Sequence, residues 1–535
     1  MFKKIVAAVL AGMLICVSFA GCGSSKDDGS EQVNVTWVIN QDKQADTDVV
    51  EKEINNKLAE LLPNTTLEIV HSPKMFDKWS MWMAAKQSYD IAYQGFQCDM
   101  LSEVYKDSYI ELDDLIDQYA PNIKKEMKEF PAEYESGRVD GKLYAIPNVQ
   151  SIIHQVNYIG VDADQWSYFP VDELIAESRS NPKTTSKMYD IFEGFLDKLS
   201  AAGILKSGEY SVDVANFFLS VVCRGYDWVG TAKGGAWLCY DAYDPDAKIV
   251  SFMQTDAYKL WLEYAARWYD KGYISEDYIV SGAAGKMLLS GNVTESWVNL
   301  DDDRGIKYVP DTDGSVKQYN ILLDGEDRLY QGTSIFGSAK TYEVIPFTAE
   351  HPERAMKLID LLHSDKGTEL LNLIVYGFEK NSDYAAKYGT WHYELKTSEN
   401  DDKPIAYGNG YINQPDSKNL YGIAHWRVCN IFKCYRTPNI LDGQEEWALD
   451  YLSNRRQDLP KTRYYNFKAD LRDYSYKIAQ INSALAEYHS ALISGTLKSD
   501  WQGTYDAMMQ KMEAGGLSGI IKAVQKQADD YVASK

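Results

Sequence analysis

The chain has 535 residues and a formal net charge of −23, with 55 Lys plus Arg set against 78 Asp plus Glu. That length exceeds one ordinary hydrophobic core, so two or more domains are expected, and 45% apolar with 25% charged residues is a globular composition. The acidic balance argues against nucleic acid, whose phosphates are held by clustered Lys and Arg, and against lying flat on anionic lipid.

The N-terminus opens with Lys3-Lys4 and continues as an apolar run over residues 5–20. The run is shorter than the ~20 residues a membrane-spanning helix needs, and charge followed by apolar core is the order of a secretory leader. It ends in Phe19-Ala20-Gly21-Cys22, followed by the polar stretch Gly23-Ser24-Ser25-Lys26-Asp27-Asp28. This resembles a bacterial lipobox, with small residues beside the cut and a thiol to acylate. The resemblance implies a signal peptide over residues 1–21, lipidation at Cys22 and a lipidated tether over 22–32. Two or three acyl chains suffice for stable anchoring. Five cysteines follow (Cys98, Cys223, Cys239, Cys429 and Cys434), an odd number that implies no complete disulfide framework.

Residues 33–39 alternate with period two and predict a strand; 48–62 carry Val50, Ile54, Leu58 and Leu61 at helical spacing. A second strand over 67–71, a helix over 76–85 and a third strand over 89–93 complete an α/β pattern with a parallel sheet. Ligands of such sheets sit beyond the carboxyl ends of the strands, which puts Asn40, Asp42, Tyr93 and Gln94 on one rim. Asp140-Gly141 predicts a tight hairpin, and Asp313-Gly314 a second. Helices are expected over 188–199 and 256–271, where Trp261 and Trp268 fall on an apolar stripe and read as core. Another begins at His351-Pro352. The last 70 residues read as three helices over 468–494, 501–514 and 518–533, each with a core stripe.

Several phrases in order resemble one family. They are the lipobox, Tyr89-Asp90-Ile91-Ala92, Leu112-Asp113-Asp114-Leu115-Ile116, Val139-Asp140-Gly141-Lys142-Leu143-Tyr144-Ala145-Ile146-Pro147 and His351-Pro352-Glu353-Arg354-Ala355-Met356. Tyr376-Gly377-Phe378-Glu379 and the tail around Ala514-Gly515-Gly516-Leu517 continue the series. Together they resemble the extracellular solute-binding proteins of ABC importers, carbohydrate type, in a lipoprotein subgroup with a helical C-terminal extension. The segment 148–166 departs by lacking the Tyr-Asn-Lys run often found there.

The resemblance implies an α/β, two-lobed type II periplasmic-binding-protein fold with hinge crossings. Lobe one would be residues 33–148 plus 335–378, and lobe two 149–334 plus 379–535 with the helical tail. It also implies capture by hinge closure, a monomer without cofactor or metal, ABC permease subunits as partners, and an extracellular location anchored through N-terminal lipid.

A sugar ring offers apolar faces and a rim of hydroxyls, so its site needs aromatic platforms beside Asp, Asn, Gln or Arg. Tyr and Trp carry the aromatic excess, with 39 and 13 copies. In lobe two the candidates are Arg224, Tyr226, Trp228 and Trp237, which lie among glycines, and Trp297, which ends a short strand. Trp391, Asn409 and Tyr411 follow the last crossing. The competing reading of each tryptophan is a core side chain. Oligopeptide capture is the alternative cargo. A surface glycosidase is the enzyme alternative, but no G-x-S-x-G, H-E-x-x-H or phosphate-loop motif supports catalysis.

Overall fold

Nine strands and nine helices position the regions that matter for function. The strands are β1 (Val33–Ile39), β2 (Thr65–His71), β3 (Ile91–Gln94), β4 (Ile146–Pro147), β5 (Asn157–Asp162), β6 (Leu289–Asn292), β7 (Ile306–Pro310), β8 (Val316–Leu322) and β9 (Tyr342–Val344). The helices are α1 (Thr47–Leu61), α2 (Met75–Ala84), α3 (Pro121–Glu129), α4 (Ser186–Ala201), α5 (Asp256–Asp270), α6 (Pro352–Leu362), α7 (Ser475–Ile493), α8 (Trp501–Ala514) and α9 (Leu517–Ala533). The structure, a computed structural model, describes residues 29–95, 98, 100–150, 157–205, 212–229, 237–275, 289–292, 304–310, 315–324, 341–397, 404–408, 420–428, 430–436, 446 and 449–535.

The first sheet has the order β2-β1-β3-β9-β4. β1 is parallel to both β2 and β3, as the strand-helix alternation requires, whereas β9 runs antiparallel to β3 and β4. In the expected hairpin, Arg138–Val139 pairs with Lys142–Leu143. Both turn residues take positive φ, 51° at Asp140 and 81° at Gly141, as a two-residue turn of this hand demands. The second sheet is antiparallel throughout, in the order β6-β5-β8-β7. β7 and β8 form the second predicted hairpin, whose turn lies outside the described residues.

Two hydrophobic cores form around these sheets. The first gathers Val35, Trp37, Ile39, Ile54, Leu58, Trp79 and Ile91 with Leu358, Ile374 and Phe378. The second joins Ile159, Phe192, Phe195, Trp261, Trp268 and Ile321 to Ile481, Met508, Ile520 and Val524 of the tail helices. Trp261 and Trp268 are therefore core, as their spacing requires. The expected break after residue 378 differs from the partition of the cores. Tyr393, Ala406, Tyr421, Ile423, Val428 and Leu452 pack in the first core, and the chain reaches the second only at Tyr464. Backbone bonds hold them there: Ile423 N–H donates to the Val375 carbonyl at 2.9 Å, and Asp46 N–H to that of Leu420 at 2.7 Å.

The tail helices are fastened to α5. The Trp261 indole donates to the Ile493 carbonyl at 3.0 Å, and Gly495, with φ of 71°, turns the chain directly against Ala265. A Cβ at that position would overlap the Ala265 carbonyl, and the left-handed backbone disfavours any side chain. Gly495→Ala should therefore cost at least about 2 kcal/mol, read as a lowered midpoint in thermal or urea unfolding. An unchanged midpoint would show that the tail does not depend on this contact.

Candidate ligand site

The carboxyl ends of β1, β2 and β3 meet the start of β9 and the end of β4 on one rim. Tyr342 pairs with Gln94 on one side and Pro147 on the other. Asn148 N–H then donates to the Thr341 carbonyl at 2.8 Å. The chain thus leaves the first core and re-enters it beside the strand ends where α/β sheets take ligands.

Four predicted residues lie on this rim with distinct roles. Asn40 is half-buried, and with its amide oriented by its surroundings it donates to the Pro73 carbonyl at 2.7 Å. Asp42 is exposed. Tyr93 is buried, its ring 5.9 Å from Phe76 and 5.8 Å from Trp426, and its hydroxyl has no hydrogen-bond partner among the described residues. Gln94 is wholly buried, and neither of its amide atoms is bonded.

Gln41 lies on the same rim, as the strand order implies, and two further rim residues, Trp426 and Arg427, escaped the sequence reading. Gln41 donates to the Gly422 carbonyl at 2.7 Å and accepts from Arg427 Nη1 at 2.5 Å. The Arg427 guanidinium stacks on the Trp426 ring, 4.3 Å from its centroid. Its Nε is buried without a partner. Trp426 and Arg427 arrive from a segment distant in sequence, so only an aromatic beside a cation hinted at them. Buried polar atoms are nearly always bonded. On this rim, atoms of Tyr93, Gln94 and Arg427 are without hydrogen-bond partners among the described residues.

The second core treats its candidates differently. Arg224 is buried: Nε donates to Asp324 at 2.7 Å, and Nη2 donates to the Ser178 and Leu323 carbonyls at 2.6 and 3.2 Å. Its donors are spent inside the fold, so it braces the end of β8 and does not face a ligand. Trp228 is buried too, 5.5 Å from both Trp237 and Phe252. Tyr226 and Trp237 remain half-buried, each with one ring edge against this cluster. Trp391 is 42% exposed beneath the Lys380 ammonium, which lies 5.2 Å from the ring centroid. Its neighbour Thr390 donates to Asp46 at 2.7 Å, tying this segment to the loop after β1. Trp297, Asn409, Tyr411 and Cys22 lie outside the described residues.

Comparison with known proteins agrees with this geometry. A family profile described as "Domain of unknown function (DUF3502)" matches residues 463–533. The chain is 20% identical to a carbohydrate ABC transporter substrate-binding protein of Streptococcus pneumoniae serotype 4, over 99% of this chain and 97% of the other. It is 24% identical to the fructooligosaccharide ABC transporter substrate-binding protein FusA of the same organism, over 82% and 79%. Its structure superposes on the N-glycan transport solute-binding protein NgtS of Streptococcus pneumoniae with a TM-score of 0.67 at 16% identity, covering 94% and 99%. The fold is that of a two-lobed ABC-importer solute-binding protein.

In this solute-binding fold the strand that re-enters the first lobe carries a buried carboxyl. Glu343 stands opposite Tyr93 in register, and neither of its oxygens makes a hydrogen bond of ordinary geometry. Burial pushes it up to about 8, against the opposing pull of His363 and Asn148. His363 lies 3.0 Å from Glu126, which holds the imidazole proton on against the effect of burial. Between the ordinary value of 4.5 and about 8, the folded chain keeps a Glu343 proton that the unfolded chain has lost. Stability should therefore fall as pH rises through that window, by up to about 1.4 kcal/mol per pH unit. Glu343→Gln should remove that slope in urea titrations at pH 5 to 9, while leaving the same-signed share due to His363. A slope untouched by the substitution would mean that Glu343 is ionised in the fold.

Proposed function

We propose that this protein captures an oligosaccharide between its two lobes and delivers it to the permease subunits of an ABC importer. The observation that carries the reading is the rim cluster, where the half-buried Trp426 ring and Arg427 guanidinium back onto the buried Tyr93 and Gln94, and polar atoms of Tyr93, Gln94 and Arg427 have no hydrogen-bond partner among the described residues. Flat aromatic faces with directed donors and acceptors are what a sugar's two kinds of surface require. The relatives' names, a carbohydrate and a fructooligosaccharide substrate-binding protein, point the same way. They are named as binding proteins, not as enzymes. Closure brings the second lobe onto the rim, and only contacts made in the closed state shift the equilibrium. The half-exposed Tyr226 and Trp237 are its candidate platforms from the far side, with Trp391 at the edge. Anchoring through lipid on Cys22 would keep capture within a short tether of the permease.

Calorimetry with a panel of oligosaccharides beside a panel of oligopeptides tests the cargo. Saccharide binding in the micromolar range is expected, with a change in tryptophan fluorescence and no cleavage products by chromatography. Trp426→Ala should weaken that binding by roughly 10- to 100-fold, the usual range for a buried aromatic anchor. Peptide binding without saccharide binding would reject the assignment. The anchor has its own test: Cys22→Ala should abolish palmitate labelling in cells, and labelling that persists would place the lipid elsewhere.

A further inference from the structure

The half-buried Arg427 differs from Arg224 and Arg354 in what surrounds its charge. Arg224 is paired with Asp324 at 2.7 Å. Arg354 donates to the Asn64 carbonyl and the Thr65 hydroxyl, both at 2.8 Å. Arg427, by contrast, has no carboxylate within ion-pair distance among the described residues, in a chain that carries 78 acidic side chains. Its one hydrogen bond goes to the neutral side chain of Gln41 through Nη1, and the face of the guanidinium rests on Trp426. Among the described residues the side-on edge, Nε with Nη2, makes no bond, and Nε is shielded from water. Burial lowers the guanidinium below its ordinary value, and the one neighbour that counters this is Tyr93, a neutral phenol. Glu343 lies on the other side of Tyr93 and is itself held uncharged by burial.

A cation out of water without a counter-charge is costly, and folds normally pair it. The free Nε–Nη2 edge is the one that receives a planar carboxylate through two parallel hydrogen bonds. We propose that the cleft is built for an acidic oligosaccharide, one bearing a carboxylate of the uronic- or sialic-acid kind, which Arg427 receives on its free edge while the half-buried Trp426 packs against a sugar ring. This rests on the saccharide reading above and narrows it to a charge class. Gln41 is then a positioning residue, since its bond to Nη1 and its own tether to Gly422 fix the plane of the guanidinium.

The test is calorimetry on the purified protein with matched pairs: trigalacturonate beside galactotriose for uronic acids, and sialyllactose beside lactose for sialic acids. The acidic member of one pair should bind at least 30-fold tighter than its neutral counterpart, and that ratio should shrink as salt is raised. Which pair shows the preference identifies the source of the carboxylate. Arg427→Gln should bring the acidic member down to the affinity of the neutral one. A neutral sugar bound as tightly as its acidic partner overturns the inference and leaves the saccharide reading intact. Binding of oligopeptides and of no saccharide overturns both. An Arg427→Gln protein that folds, by circular dichroism, yet keeps the full preference removes Arg427 from the recognition. Where that variant does not fold, the wild-type ratio and its salt dependence decide.

Discussion

The cleft rests on a short overlap of antiparallel backbone, the insertion of β9 between β3 and β4. Tyr342 is paired on both sides, with Gln94 and Pro147, so one residue joins the rim to the outgoing and the returning crossing. Proline is tolerated in β4 because that strand is the sheet's edge and one of its flanks needs no donor. The register matters as much as the pairing. A slip of one residue would put Tyr342 where Glu343 stands and turn a carboxyl to the opposite face. The buried Glu343 and the unbonded Tyr93 hydroxyl, opposite each other in this register, are consequences of the same overlap.

What the amino-acid pattern discloses follows from how local the cause is. The alternation over 33–39 and the apolar spacing of α1 are satisfied by neighbours within a few turns, and both elements appear within a residue or two of expectation. The rim follows from topology, so Asn40, Tyr93 and Gln94 could be placed from the order of strands alone. Arg224 and Trp228 could not. An arginine or tryptophan among glycines reads alike whether it meets a ligand or the interior. The deciding partner of Arg224, Asp324, lies far along the chain. The same distance hid Arg427 and Trp426, whose place on the rim depends on Gln41 and Tyr93. The return of Tyr393, Tyr421, Ile423, Val428 and Leu452 to the first core was equally invisible, because a bond such as Ile423 to Val375 leaves no periodic trace.

The tail is more than an appendage to the second core. Gln525 accepts from the Ile249 N–H at 2.8 Å and donates to the Tyr464 hydroxyl at 2.9 Å, which fixes α9 to the point where the chain reaches the second core. From the same segment, Lys468 donates to the Ser136 carbonyl at 3.2 Å, and the Arg472 guanidinium lies 3.7 Å from the ring centroid of Tyr105. Ser136 also accepts from the Tyr342 hydroxyl at 3.1 Å, so these contacts reach the strand that carries the rim. Any rotation of one lobe on the other must slide or break them. A net hydrogen bond is worth about 1 kcal/mol, small beside the roughly 8 kcal/mol of a micromolar complex, and the contact of the solvent-exposed Arg472 is screened by water. The tail can therefore bias the hinge without locking it.

A body of charge −23 seems a poor host for an anion, but net charge and site charge act over different distances. At physiological salt the Debye length is about 8 Å, so exposed carboxylates elsewhere on the surface are largely screened from the rim. Inside the closed cleft that screening is lost, and a carboxylate at contact with a guanidinium gains on the order of 4 kcal/mol at an effective dielectric near 20. The acidic shell then acts on the approach and the arginine on the complex once formed. The screened shell slows an incoming anion only weakly, whereas the paired charges resist departure, and added salt lowers their net gain by stabilising the separated ions. Among described rim residues the exposed acid is Asp42, on the loop after β1, while Arg427 lies deeper, between Gln41 and Trp426. Depth favours the cation, because the group farther from solvent is the less screened of the two. Affinity in such a site is set by how slowly the closed state lets go, and that depends on the half-desolvated guanidinium of Arg427, which has no carboxylate within ion-pair distance among the described residues.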